Sequence, residues 1–239
     1  MRLLKLPTLD FEEFQDETIP PYAILSHTWE KDEVSYHQMI NPSRETATMD
    51  GFAKIRRFAD VTLSPSVEYA WVDTCCIDKT SSGELSKAIN SMYRWYKNAT
   101  KCYVYLADLE GLNGLNECRW FSRGWTLQEL IAPGEMEFYD KNWQILGNKR
   151  MLLDQLASAT GIPIAVLRNC DPSLASVAQR MSWASKRKTT RIEDVAYCLM
   201  GIFDVNMPLL YGEGQKAFIR LQEEIMKYSD DHSLFAWKA

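Results

Sequence analysis

The sequence predicts an α/β fold in which a mainly parallel sheet is followed by a helical annex, and three observations carry this reading. Short apolar runs at Tyr22 to Leu25, Tyr69 to Val72 and Lys101 to Leu106 alternate with stretches of helical periodicity. Each run opens directly into polar residues, which is how strands of an open parallel sheet end at a binding edge. Past Asn148 the apolar spacing is helical throughout, with no linker before it. The expected organisation is one unit of 239 residues, with a core at about 20–145 and an annex at about 146–239 packed on it.

A leader rich in Asp and Glu precedes Pro20-Pro21, and Tyr22-Ala23-Ile24-Leu25 is the first buried strand. Ser26-His27-Thr28-Trp29 follow it, able to donate, accept or stack at the mouth of the sheet; the alternative is that His27 and Trp29 plug the strand edge. Phe52, Ile55 and Phe58 at helical spacing predict a covering helix with Lys54, Arg56 and Arg57 on its solvated side. His37 and His232 are expected at the surface. The strand Tyr69 to Val72 runs into Asp73-Thr74-Cys75-Cys76-Ile77-Asp78-Lys79, where the adjacent cysteines have no chelating spacing and read as small buried residues.

Ser81 and Glu84 have the spacing of a capping box. The helix they open shows Leu85, Ala88, Ile89, Met92 and Tyr96 as a core stripe. Asp108 closes the third strand, and a fourth is expected at Met136 to Tyr139, with Trp143 just beyond it. Strand and helix in alternation imply parallel pairing with right-handed crossovers, which gathers Ser26 to Trp29, Asp73 to Lys79 and Asp108 along one edge.

The densest chemistry lies in Arg119 to Leu130. Read as a helix beginning near Ser122, Trp125 and Glu129 share one face while Leu127, Leu130 and Ile131 turn to the core. Glu129 is then either a site carboxylate or a helix-surface carboxylate paired with Arg123 or Arg119; Trp120 and Phe121 read as packing. Tyr211-Gly212-Glu213-Gly214 lacks the Lys-Ser/Thr partner of a phosphate loop and reads as a turn before the last helix, whose stripe is Phe218, Leu221, Ile225 and Tyr228.

Composition narrows the function classes. A hydrophobic share of 46% with 25% charged residues is that of a globular chain, and no apolar run is long enough to span a bilayer. The N-terminus, interrupted by Pro7, lacks a signal-peptide core. Six cysteines are scattered without metal spacing, so reduced thiols, a cytoplasmic location and no metal are expected. A formal net charge of −5 argues against nucleic acid as a partner, and the cluster Lys186-Arg187-Lys188 with Arg191 reads as a solvated helix end and loop.

Three blocks, Ala23 to Trp29, Trp71 to Lys79 and Arg123 to Leu130, together resemble the signature blocks of the fungal heterokaryon-incompatibility (HET) domain. Met1 to Leu4 and the region of Tyr211 to Gly214 look like the ends of the version fused to a NACHT module and WD40 repeats. One departure is Glu30, where the first block usually has glycine. The resemblance implies a cell-death effector of non-self recognition, self-associating into oligomers within a longer parent chain that carries NACHT and WD40 modules.

Trp125-Thr126-Leu127-Gln128-Glu129-Leu130 is also similar to the Trp-Cys-x-x-Glu-Leu block of Toll/interleukin-receptor (TIR) domains, with Thr126 in place of cysteine. That likeness implies a TIR-like, flavodoxin-like three-layer fold, NAD as a substrate with no further cofactor, and Glu129 as the catalytic carboxylate. Under it, Trp125 or Trp29 stacks on a ring and Arg123 or Lys79 meets the pyrophosphate. Ser26, His27 and Asp73 shape the pocket, with Asp78 at the same edge. The competing expectation is a non-enzymatic signalling module that triggers cell death through a bound partner.

Overall fold

The four expected strands form, and three more join them. The computed structural model describes residues 1–64 and 66–236. Its strands are β1 (Arg2–Lys5), β2 (Asp10–Glu13), β3 (Tyr22–His27), β4 (Tyr69–Trp71), β5 (Lys101–Tyr105), β6 (Met136–Tyr139) and β7 (Ile145–Asn148), in the order β2-β1-β4-β3-β5-β6-β7. The central four, β4-β3-β5-β6, are parallel, while β1, β2 and β7 pair antiparallel at the two sides.

Aromatic pairs define the layers on either side of the sheet. Phe58, from the helix Asp50–Thr62, meets Tyr103 edge-on at 5.4 Å, and Tyr103 stacks on Tyr139 at 5.9 Å. On the other face Trp71 packs against Trp95 and Tyr96 of the helix Ser82–Asn98, and Trp120 meets Phe138. Phe138 and Tyr139 are neighbours in β6 and so point to opposite faces. The result is a three-layer α/β arrangement with its core on both sides of the sheet.

Several expectations need correction. The acidic leader is half of a hairpin: β2 lines up with β1 so that Leu4 faces Phe11, with Arg2 bonded to Glu13 and Lys5 to Glu12, and the sheet therefore begins well before residue 20. An edge strand built from charges does not show the apolar run by which the central strands are read. Lys54 is buried, because its ammonium is held by Glu33 and His27. Ser81 accepts from Glu84 N, but the Glu84 carboxylate does not reach back. It takes Asp78 N at 2.8 Å and Arg2 Nη1 at 2.7 Å, which ties the helix start to β1.

The expected continuous helix from Ser122 is two short ones, Arg119–Ser122 and Thr126–Ile131, broken at Arg123 and Gly124. The break is where the annex is fastened. Lys188 N donates to Ser122 O at 2.7 Å and Gly124 N to Lys188 O at 2.9 Å, a single bridge of parallel strand type. A Cβ on Gly124 would stand 2.5 Å from the Thr189 methyl and 3.1 Å from Cys198 Sγ, so the close approach needs glycine.

The annex also holds the Ser82–Asn98 helix. Asn90 exchanges two hydrogen bonds of 3.2 Å with the Met207 backbone, and Gly201 lies against Tyr93. Among the described residues no helix is long and apolar enough to cross a membrane.

Candidate functional site

The chain reverses its direction of winding at β3, which has β4 on one side and β5 on the other. Open α/β sheets bind ligands outside the carboxyl ends of strands at such a point. A cavity of about 360 Å³ opens there, walled by core residues that include His27, Trp29, Asp73, Lys79, Arg123 and Glu129.

Glu129 sits at the inner end of this cavity, on the short helix Thr126–Ile131 whose every residue is buried. Ser26, at the end of β3, donates to Glu129 Oε2 at 2.5 Å, and Trp120 Nε1 donates to Ser26 Oγ at 2.9 Å. An indole N–H can only donate, so the Ser26 proton is left for Glu129. Tyr96, which donates to Leu25 O at 3.1 Å, lies against the same carboxyl. Burial lifts the Glu129 pKa to about 8; the Ser26 hydrogen bond opposes the rise and the charge of Asp73 adds to it. The surface pairing of Glu129 with Arg119 or Arg123 is absent. Arg119 is held by Asp108 and by Glu30, the residue in the place usually taken by glycine.

Asp73 is the opposite case. Its carboxyl opens the short helix Asp73–Cys76 at the end of β4, with His27 Nε2 at 3.0 Å on one oxygen and Trp29 Nε1 donating at 2.8 Å to the other. Burial by itself would raise its pKa, but the His27 hydrogen bond, the Lys79 charge and the Trp29 hydrogen bond bring it down to about 2. His27 Nδ1 lies 2.8 Å from the Lys54 ammonium, which has only protons to offer, so His27 donates from Nε2 to Asp73. The chain of Glu33, Lys54 and His27 thus fixes Asp73 from behind. Lys79 stands 3.6 Å over the Trp29 ring, which places a cation and an aromatic face together at the mouth.

Asp78 is not part of the cavity: its carboxylate accepts from Thr80 N and Oγ1 and faces His37. Ser26 does not line the cavity either and acts on it from beneath through Glu129. The remaining sequence candidates, His27, Trp29, Asp73, Lys79, Arg123, Trp125 and Glu129, come together around it.

Sequence reasoning missed the other wall. Thr190, Arg191, Asp194 and Tyr211 of the annex close the cavity, with Arg191 4.4 Å over the Tyr211 ring and Tyr211 donating to Asp194 at 3.0 Å. The basic cluster is a helix end and loop with Lys186, Lys188 and Arg191 exposed, as expected, but it is not given over to solvent alone. Arg191 faces the cavity, and Arg187 donates from Nη1 to both Arg123 O and Thr126 Oγ1 at 2.9 Å. Desolvation lowers the Arg187 pKa to about 10. The available signal was Arg191 and Asp194 three apart on a helical turn, but nothing local pairs that turn with Glu129.

The family model described as "Heterokaryon incompatibility protein (HET)" matches residues 22–113, and one described as "Domain of unknown function (DUF8212)" matches residues 216–239. The "Vegetative incompatibility protein HET-E-1" of Podospora anserina is 48% identical over 223 residues, covering 87% of this chain and 16% of its own length. The chain belongs to the heterokaryon-incompatibility (HET) family. Its HET domain thus spans a small part of that relative, and the matched segment 22–113 ends before Glu129. No solved structure matches the chain.

The hydrogen-bond ladder under Glu129 is testable in this HET domain without any substrate. Ser26→Ala leaves Trp120 Nε1 buried without an acceptor, which should cost about 1–3 kcal/mol in urea unfolding. It should also shift the titration of Glu129 further upward, read by following stability against pH. A titration that stays in place would refute the assigned donor.

Proposed function

We propose that this HET domain is a cell-death effector of fungal non-self recognition that hydrolyses the nicotinamide–ribose bond of NAD when its copies are assembled. One observation carries the reading: a buried carboxylate, Glu129, held by Ser26 at the inner end of a cavity at the switch point of the sheet. The similarity to a vegetative incompatibility protein supports the biological role, and the likeness to the TIR block supports the reaction. Assembly would be driven by NACHT and WD40 modules of a longer parent chain, with a second HET domain as the partner in the oligomer.

The chemistry asks for little more than this site holds. Nicotinamide leaves NAD as a neutral ring when the C1′–N bond breaks, so no leaving-group acid is needed. The ribose carbon becomes oxocarbenium-like, water adds to C1′, and one proton is released. Glu129 in its ionised form would hold the ribose hydroxyls and stabilise that cationic carbon. The pyridinium brings its own positive charge, which favours loss of the Glu129 proton on binding. Trp29 and Trp125 offer ring faces, Lys79, Arg123 and Arg191 face the diphosphate, and Asp73, with His27 behind it, positions the attacking water, whose proton passes to solvent.

The test is nicotinamide release from NAD by protein clustered on a scaffold. Clustered wild type should release it, and Glu129→Ala should be slower by on the order of 100-fold or more. If clustered wild type releases none, or Glu129→Ala matches it, the enzymatic reading fails and the non-enzymatic signalling module replaces it.

A further inference from the structure

A second cleft, about 870 Å³ in volume, lies on the far side of the Ser82–Asn98 helix from the Glu129 cavity. Leu85, Ile89 and Met92 of that helix line the first site, whereas Tyr93, Arg94 and Lys97 line the second. The two share no lining residue. In a chain of net charge −5, this cleft gathers six cationic side chains against three carboxylates, Glu135, Asp171 and Asp204. Two of the cations are already spent, Arg94 on Asp16 and Arg150 on Glu135.

Among the described residues the other four form no ion pair, although Asp171 lies within electrostatic reach of Lys97 and Arg180, and Asp231 within reach of Arg180. Lys149 is only 3% exposed, yet its ammonium meets neutral groups alone: Pro133 O at 2.8 Å, Ile131 O at 3.3 Å and Cys170 Sγ at 3.4 Å. These three acceptors match the three ammonium protons, so Lys149 lends the cleft its charge rather than a hydrogen bond, and an anion in the cleft would offset the cost of burying that charge. Arg180 lies 4.7 Å over Phe203 and donates from Nη1 to Ile202 O, while its buried Nε has no partner. At the rim, Lys97 and Arg168 are exposed and, among the described residues, form no ion pair. Tyr93 adds a half-buried aromatic ring to the wall.

We propose that this cleft binds a small molecule bearing a chain of phosphates. Its volume falls within the range of nucleotide-sized sites. Clustered lysine and arginine side chains are suited to several phosphate oxygens at once. The floor also touches the first site through one helix, since Lys149 binds carbonyls at the carboxyl end of the helix that carries Glu129.

The experiment is calorimetric titration at low salt of the 239-residue chain carrying Lys79→Ala, Arg123→Ala and Arg191→Ala, which removes the three cations that face the diphosphate in the Glu129 cavity. The probes are inorganic tripolyphosphate, ADP and adenosine. Tripolyphosphate or ADP should saturate one site, and adding Lys97→Glu with Arg168→Glu at the exposed rim should weaken binding by roughly tenfold or more. Tighter binding of ADP than of tripolyphosphate identifies a nucleotide, and the reverse identifies a free polyphosphate. No saturable binding of either phosphate probe, or binding that the rim substitutions leave unchanged, would overturn the proposal. Neither outcome depends on whether the domain cleaves NAD.

Discussion

Glu129→Gln should make the folded domain more stable at pH 8 while removing nicotinamide release. The wild-type carboxyl titrates at about 8 in the folded chain against 4.5 for the ordinary group, so between those values the native state holds a proton that the unfolded chain has released. Stability therefore falls as pH rises, because the unfolded state binds fewer protons over that interval. The contribution is complete below pH 4.5, is lost progressively up to about 8, and amounts to on the order of 4 kcal/mol. Glutamine is neutral at every pH and keeps an oxygen for the Ser26 hydroxyl, so it should abolish the slope. Urea unfolding of both proteins at pH 5 and pH 8 gives the comparison: near equality at the lower pH and a more stable variant at the higher. A variant equally destabilised at both would show that Glu129 is ionised in the resting protein. The same titration predicts that kcat/KM of the assembled enzyme rises with pH toward 8, since the free site must lose this proton to act.

The second large effect is expected at Gly201, where two helices meet backbone to side-chain root. The helix Met200–Phe203 lies so close to the Ser82–Asn98 helix that an added Cβ would fall 2.1 Å from Tyr93 Cβ and 2.6 Å from Tyr93 Cγ. These atoms sit at the root of the tyrosine, where rotation of the side chain cannot make room. Gly201→Ala should cost about 3 kcal/mol or more, at the upper end of what overpacking a core does. Because Arg191 and Tyr211 of the annex wall the Glu129 cavity, displacement there should also lower activity at temperatures where the protein remains folded. Tyr93→Gly, which removes both of these atoms, should recover much of the Gly201→Ala loss in the same chain, seen as strong coupling in a double-mutant cycle of unfolding free energies. Additive losses would show that the two helices separate at no cost.

The central sheet was legible because strands buried on both faces are short apolar runs, and Tyr22, Tyr69, Lys101 and Met136 each open one as the sequence suggests. The outer strands were not. Asp10–Glu13 is held by cross-strand pairs with Arg2 and Lys5, an arrangement that depends on a hairpin partner and leaves no periodic signature of its own. Ile145–Asn148 carries a glycine of positive φ at Gly147 and has no apolar run of its own, so it shows as a strand only with β6 beside it.

Within the site, the residue types at the strand ends could be read, since open parallel sheets place polar groups there. Their roles could not. Lys54 occupies the face of its helix that periodicity assigns to solvent, and it is buried because His27 and Glu33 lie over it. Glu129 was grouped correctly with Trp125, yet its depth depends on Ser26, 103 residues earlier, and on an annex that begins well after it. Contacts of that span have no period in the sequence.

The bridge between Lys188 and the Ser122 to Gly124 turn makes the cavity a shared possession of two distant parts of the chain. Recombination between related genes at any point between Glu129 and Arg191 would join a carboxylate from one parent to a wall from the other. The fit at Gly124, with Thr189 and Cys198 pressed against it, would then decide whether the hybrid closes. Sheet and annex are in that sense inherited together, and variation in the strap from Lys186 to Arg191 is variation in the site itself.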